Sequence, residues 1–168
     1  EPYRRSIADD WQIPKALIEI PRWLVWRAKP RGNSKVDKIP VSPLTGQPCN
    51  ATDPKCLTDF VRAYDYALSN QTITGLGFSL SRELGIIGGD LDGCVNAEGV
   101  YSNLAIELIS ILETYFEISP GGRGLRFFGY AKLDKALINS RVGLEIYCEK
   151  RFVTITGSAL ETTSFALE

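Results

Sequence analysis

The sequence predicts an α+β fold, mixed α/β in part, and three observations predict it. Segments 55–69 and 102–116 carry apolar residues every three to four positions, the spacing of amphipathic helices. Short runs rich in branched and aromatic residues, bounded by Gly, Pro, Asn, Asp or Ser, read as strands. The two helices fall among these strands, an order that fits helices packed on a mixed sheet.

In chain order, residues 1–20 form a lead-in, polar to about residue 13. Pro14-Lys-Ala-Leu-Ile-Glu-Ile20 is a short helix with Pro14 near its first turn and Pro21 after it. Trp23 to Lys29 and Lys35 to Ser42 read as strands of a hairpin around the turn Lys29–Ser34, and Pro40 argues for an edge position. Thr52-Asp-Pro54 signals a helix start, followed by Leu57, Phe60, Val61, Tyr64 and Leu68 on one face. Thr74–Leu80 is a strand, and the run from Gly85 continues as the next. Ser102–Phe116 is the second helix and Phe116–Ser119 a short strand. Leu125–Tyr130 is a further strand, and 132–141 is a polar linker or short helix. Gly143–Cys148 and Arg151–Thr156 are strands around a tight turn at Glu149-Lys150. Residues 158–168 read as a tail or linker.

Composition narrows the chemistry. The 168 residues are 44% hydrophobic and 23% charged, ordinary for a globular chain able to bury a core. A net charge of −1 gives no general attraction to nucleic acid, so a polyanion site has to be a local basic patch. No apolar run approaches the ~18 residues of a membrane span. The absence of histidine excludes Ser-His, Cys-His and His-ligated metal chemistry within this chain. The four cysteines form no CxxC pair and read as free or buried thiols. The chain has no methionine, which reads as a piece of something longer.

Three stretches carry the candidate chemistry. Gly85-Ile-Ile-Gly-Gly-Asp-Leu-Asp-Gly93 ends in Asp90 and Asp92. In a strand these two share a face, roughly 6.5–7 Å apart. They suit a divalent cation, which takes hard carboxylate oxygens. They also suit two solvated carboxylates opening a turn, and the stretch alone leaves both readings open. Ser119-Pro-Gly-Gly-Arg-Gly-Leu-Arg126 has the glycines of an anion-cradling loop, with Ser119, Arg123 and Arg126 as donors to phosphate. The same residues serve as a hairpin turn with two exposed arginines. In Leu144-Glu-Ile-Tyr147, alternation puts Glu145 and Tyr147 on one face. If this strand neighbours that of Asp90, three carboxylates meet where one or two Mg²⁺ or Mn²⁺ ions could sit.

These motifs in this order resemble the primase-polymerase domain of the archaeo-eukaryotic primase superfamily, in the branch found in phage, prophage and plasmid replication proteins. Asp90-Leu-Asp92, Ser119-Pro-Gly-Gly-x-Gly-Leu-Arg126 and Leu144-Glu-Ile-Tyr…Arg151-Phe-x-Thr-Ile-Thr-Gly157 carry the resemblance. Trp23-Leu-Val-Trp26, Lys38-Ile-Pro40, Pro43-Leu-Thr-Gly46, Thr52-Asp-Pro54 and Thr74-Gly-Leu-Gly-Phe78 precede them. The resemblance implies a domain over 21–157 with an RRM-like catalytic sheet, a smaller N-terminal α/β module and a cleft between them. It implies template-directed synthesis from nucleoside triphosphates on single-stranded DNA, with Mg²⁺ or Mn²⁺ on Asp90, Asp92 and Glu145. Ser119, Gly121, Gly122, Arg123, Gly124 and Arg126 match the triphosphate motif, and Arg151 and Lys38 are further phosphate or template contacts. Arg126 stands where members commonly have histidine, and Gly121 where a second serine is often seen. A helicase region of the same protein, no membrane, and the cytoplasm of a bacterial host follow from the same resemblance.

Two other readings remain. A nucleotide- or nucleic-acid-binding module without catalysis could use Arg22, Arg27, Lys29, Arg31, Lys35 and Lys38, with Trp23 and Trp26 stacking bases unless they are core. A metal-dependent phosphatase or nuclease needs only the carboxylates.

Overall fold

Period-two runs pair into two antiparallel sheets, and three helices cover them. The computed structural model describes residues 12–32, 35–161 and 167. Residues 1–11 of the expected lead-in and 162–166 and 168 of the expected tail lie outside these. The elements are α1 (Lys15–Ile18), β1 (Trp23–Arg31), β2 (Lys35–Val41), α2 (Phe60–Ser69), β3 (Gly75–Ser79) and β4 (Ile86–Leu91), then α3 (Asn103–Leu112), β5 (Tyr115–Ile118), β6 (Leu125–Tyr130), β7 (Leu137–Asn139), β8 (Leu144–Tyr147) and β9 (Phe152–Ile155). The first sheet has the order β2-β1-β3-β9 and the second β5-β6-β4-β8-β7. Every described pairing is antiparallel, so the expectation of a mixed sheet is corrected.

Helix α2 lays Ala63 and Ala67 on the first sheet beside Trp23, Leu76 and Phe78, and Trp23 meets Phe60 edge-on at 4.9 Å. Helix α3 covers one face of the second sheet, with Ala105 against Leu91, Phe116, Leu125 and Phe127. The other face of that sheet turns toward the first. Tyr115, Phe128 and Ile86 share a core there with Phe78, Val153 and Ile155. Gly88 and Gly89 permit this layering. A Cβ at Gly88 would come within 2.7 Å of Val153 Cγ2, between the sheets, and one at Gly89 would run into the Phe127 ring.

Several expectations change where tertiary contacts override local signals. Asp53 caps only a 3-10 turn, Pro54–Cys56, because Leu57 is extended and Thr58 bridges Trp23. Helix α2 starts later, with Asp59 accepting from the Arg62 N–H at 2.9 Å. Helix α3 ends at Leu112 because Glu113 takes a left-handed φ of 46°, and Tyr115 with Phe116 enters β5. The linker at 132–141 contains β7, paired to β8. Strands β8 and β9 are no hairpin: β8 joins β4 and β7, whereas β9 joins β3 in the other sheet. The first sheet is therefore closed by a strand from the far end of the chain and is not a purely N-terminal module. Cys49 and Cys56 form a disulfide with Cα atoms 6.0 Å apart, against the expectation of free thiols, while Cys94 and Cys148 are free and buried. Pro40 does lie in an edge strand.

Candidate active site

Strand register builds the site. Asp90 on β4 is directly opposite Arg126 on β6 and Glu145 on β8, and Arg126 is opposite Glu117 on β5. Directly paired residues point to the same face. Glu117, Arg126, Asp90 and Glu145 therefore form one row across four strands, on the face turned away from α3.

The row runs from a closed end to an open one. Glu117 is 0% exposed and accepts from the Tyr115 hydroxyl at 2.9 Å, the Thr156 N–H at 2.9 Å and the Gly157 N–H at 3.0 Å. Burial pushes its pKa up, and the opposing pulls come from those donors and from Arg126. Arg126 is 3% exposed; its guanidinium donates to Asp90 Oδ2 at 3.1 Å and to the Thr154 carbonyl at 3.3 Å. Asp90 Oδ1 is buried with no hydrogen-bond partner, and so is Arg126 Nε. Glu145 accepts from the Tyr147 hydroxyl at 2.6 Å, a contact that follows from their shared face. Burial, and next the Glu145 hydrogen bond, pushes the Tyr147 phenol up to about 12.

The open end faces a cleft of about 730 Å³ between the sheets. Lys38 from β2, Asp90, Asp92, Arg126, Glu145, Tyr147, Arg151 and Thr154 line it, with the 49–52 loop on one side. Asp92 lies one residue past β4, exposed, its N–H donating to the Gly143 carbonyl at 2.9 Å. Desolvation, and next the charge of Asp90, raises its pKa against the pull of Arg126 and Lys38. Lys38 is lowered to about 8, first by burial and next by the charge of Arg126. The fold thus gathers Asp90, Asp92, Glu145, Arg126, Lys38 and Arg151 around one hollow from four strands and two connections.

The Gly-rich loop stands apart. Ser119, Gly121, Gly122, Arg123 and Gly124 do not line the cleft. The Ser119 hydroxyl accepts from the Gly124 N–H at 3.2 Å, and the Gly122 N–H donates to the Ser119 carbonyl at 2.8 Å. Two loop donors are thus used inside the turn. Trp23 and Trp26 are core residues, 0% and 1% exposed, so the base-stacking surface of the binding-module reading does not form on them. Arg22 bonds Ser79 and Arg31 pairs with Asp37, so neither stands free on that surface. The Lys35 side chain and residues 33–34 lie outside the described residues.

Sequence reasoning passed over Glu117, Tyr115 and Thr154. A signal existed for the first: Glu117 sits between Phe116 and Ile118 in a short apolar strand, where a lone carboxylate has to find partners.

The fit to a cation can be judged from the donors. Among the described residues no group of three His, Cys, Asp or Glu side chains is gathered as a ligand set. The chemistry of the open end fits one nonetheless. Asp90 lines the cleft and keeps a buried oxygen, Oδ1, without a partner, and Glu145 and Asp92 line the same hollow.

Carboxylates and cations interleave around this polar cleft, an arrangement whose chemistry suits anionic ligands and hard cations. Over an alignment of 158 residues that covers 89% of this chain, the chain is 30% identical to a DNA primase-polymerase of Nitratiruptor phage NrS-1. This likeness supports a primase-polymerase domain in a phage-type protein, the family that the motifs resemble. The chain spans about a fifth of that relative's length, 21%. No protein-family model matches the chain. Among the described residues no helix is long and apolar enough to cross a membrane.

Proposed function

We propose that the chain is the nucleotidyl-transfer domain of a phage or mobile-element replication protein, building DNA or primers from nucleoside triphosphates on a single-stranded template. The observation that carries this reading is the open end of the row, where Asp90 keeps an unpaired oxygen beside Glu145, Asp92, Lys38 and Arg151 in one cleft. The primase-polymerase relative supports it.

In this reading Asp90, Asp92 and Glu145 would hold Mg²⁺ or Mn²⁺. Such ions lower the pKa of an attacking hydroxyl and neutralise charge on the phosphoryl group in flight. The other parts belong to the chain's own side chains. Lys38 and Arg151 would pair with triphosphate oxygens from the first-sheet side. Arg126 reaches a phosphate by releasing Asp90, since its guanidinium lies against that carboxylate. In the Gly-rich loop Ser119, Gly122 and Gly124 hold the turn together, which leaves the N–H groups of Gly121 and Arg123 for an anion. The second sheet with α3 is read as the RRM-like catalytic sheet and the first as the smaller module. A helicase region elsewhere in the full protein and a place in the bacterial host cytoplasm belong to the same reading.

Incorporation of labelled dNTP and NTP on a single-stranded template, with Mg²⁺ or Mn²⁺ and with or without primer, tests it. Wild type should give metal-dependent product, and Asp90→Ala with Asp92→Ala should lose it. Equal product from both proteins would sink the reading.

One observation favours a second reading. Arg126 occupies Asp90 Oδ2, and among the described residues no group of three His, Cys, Asp or Glu side chains is gathered. A module that binds nucleotide or nucleic acid without turnover would look the same. It requires binding with no incorporation in any lane.

A further inference from the structure

We propose that a smaller hollow beside the cleft binds a single-stranded DNA segment through its phosphates and leads that strand into the cleft. The proposal rests on the nucleotidyl-transfer reading for the strand's purpose, though not for its binding. With both tryptophans buried, a strand entering the cleft needs another surface.

The second hollow, about 310 Å³, is lined by Arg82, Asp134, Lys135, Tyr147, Lys150 and Arg151 among others. Tyr147, Lys150 and Arg151 also line the cleft, so the two hollows adjoin one another. Their common wall is the connection between β8 and β9, where the chain passes from one sheet to the other.

This wall is braced. Arg82 donates to the Asp134 carbonyl at 2.8 Å and makes a short ion pair with Glu149. The Cys148 thiol reaches the Leu133 carbonyl at 3.6 Å. These bonds tie segment 133–136 to the connection 148–151 and consume the charges of Arg82 and Glu149. Lys135, Lys150 and Arg151 remain exposed, with no ion pair among the described residues. The Asp134 carboxylate lines the same hollow, so with Arg82 and Glu149 paired, three cations face one acid there. Lys150 has a φ of 56°, uncommon for a residue with a side chain. Strain of that kind is often kept at ligand sites.

Arg151 contributes a second kind of contact. Its guanidinium carbon lies 4.3 Å from the Tyr147 ring centroid. A cation over an aromatic face, next to further cations, suits a strand that offers phosphates and base faces in turn. Tyr147 also donates to Glu145, so this face joins the carboxylate row directly. Lys135 lines only the second hollow, Tyr147, Lys150 and Arg151 line both, and Glu145 and Asp90 line the cleft.

The test is fluorescence anisotropy of a labelled oligothymidylate titrated with the chain across a range of NaCl concentrations. Wild type is compared with Lys135→Ala/Lys150→Ala, and nucleotide binding by wild type is measured alongside. Two lost phosphate contacts should lower the slope of log K against log salt by about 1.4, or about 25-fold in affinity at 0.1 M relative to 1 M salt. Lys135→Ala alone should give about half the slope change. An unchanged slope in the double variant overturns the proposal. So does a wild-type chain that binds nucleotide but no oligonucleotide. Oligonucleotide binding with the expected slope change, but no incorporation in any lane, would keep this site and overturn the nucleotidyl-transfer reading.

Discussion

Glu117 and Asp90 flank the same arginine in the same row, yet their surroundings are opposite. At the β5 end, Glu117 is sealed from solvent and its oxygens are met by a tyrosine hydroxyl and two backbone N–H groups. At the β4 end, Asp90 shares one oxygen with Arg126 and leaves the other without a partner beside a cleft. Buried polar atoms are nearly always paired, so the exception asks for a reason. A carboxylate with all its bonds made is holding the fold, here β5 to the backbone after β9. One with an oxygen left unpaired at the edge of a hollow fits the ligand site proposed there.

The largest test of this contrast is stability. Glu117→Ala leaves the buried Tyr115 hydroxyl and the Thr156 and Gly157 N–H groups without their acceptor, and should cost about 3–5 kcal/mol. Asp90→Asn takes the charge from the ion pair with Arg126 but keeps a side-chain oxygen to accept from it, and should cost less, about 1–3 kcal/mol. Chemical denaturation of the two variants beside wild type measures both. Equal costs would erase the distinction between the two ends.

A smaller effect sharpens the role of sheet packing. Gly88→Ala places a methyl group 2.7 Å from Val153 Cγ2, on the same face of β4 as Asp90. It should destabilise by about 1–3 kcal/mol through overpacking. The urea midpoint should fall without a change in slope.

The smallest effect concerns Lys38, the cation facing the open end. Its pKa is lowered from 10.5 to about 8, first by burial and next by Arg126. Between those values the unfolded chain holds a proton that the folded chain has released, so stability rises with pH across that window. Below about 8 the cost of the buried ammonium is fully present. Lys38→Met should therefore raise the Tm at pH 7 by about 2–4 °C. That difference should shrink as pH climbs through the window, and a constant difference would mean that Lys38 is not strained by its charge.

Much of this was legible before any coordinates. Alternation was enough to put Glu145 and Tyr147 on one face, and their hydrogen bond follows from it. The Asp-x-Asp run marked the strand that the second sheet is built around, and Pro40 marked an edge. Other signals misled for definable reasons. Asp53-Pro54 is a sound helix start by local chemistry, but Thr58 is drawn into a bridge with Trp23 and the helix waits for Asp59. Glu149-Lys150 has the length of a hairpin turn, yet its two strands enter different sheets.

What the sequence by itself determined was local: where the chain is extended or helical, which residues share a face, and which chemistries the missing histidines exclude. Those properties depend on backbone period and side-chain type, and neighbours a few residues away set them. Only the tertiary structure decided that Arg126 and Glu145 both lie opposite Asp90, that Glu117 is the buried end of the row, and that Lys38 approaches from the other sheet. Strand order and register arise from burying two apolar faces at once, with every backbone bond paired across residues far apart in sequence. No local pattern carries that information, because the same alternating strand can pair with any partner that completes the layers.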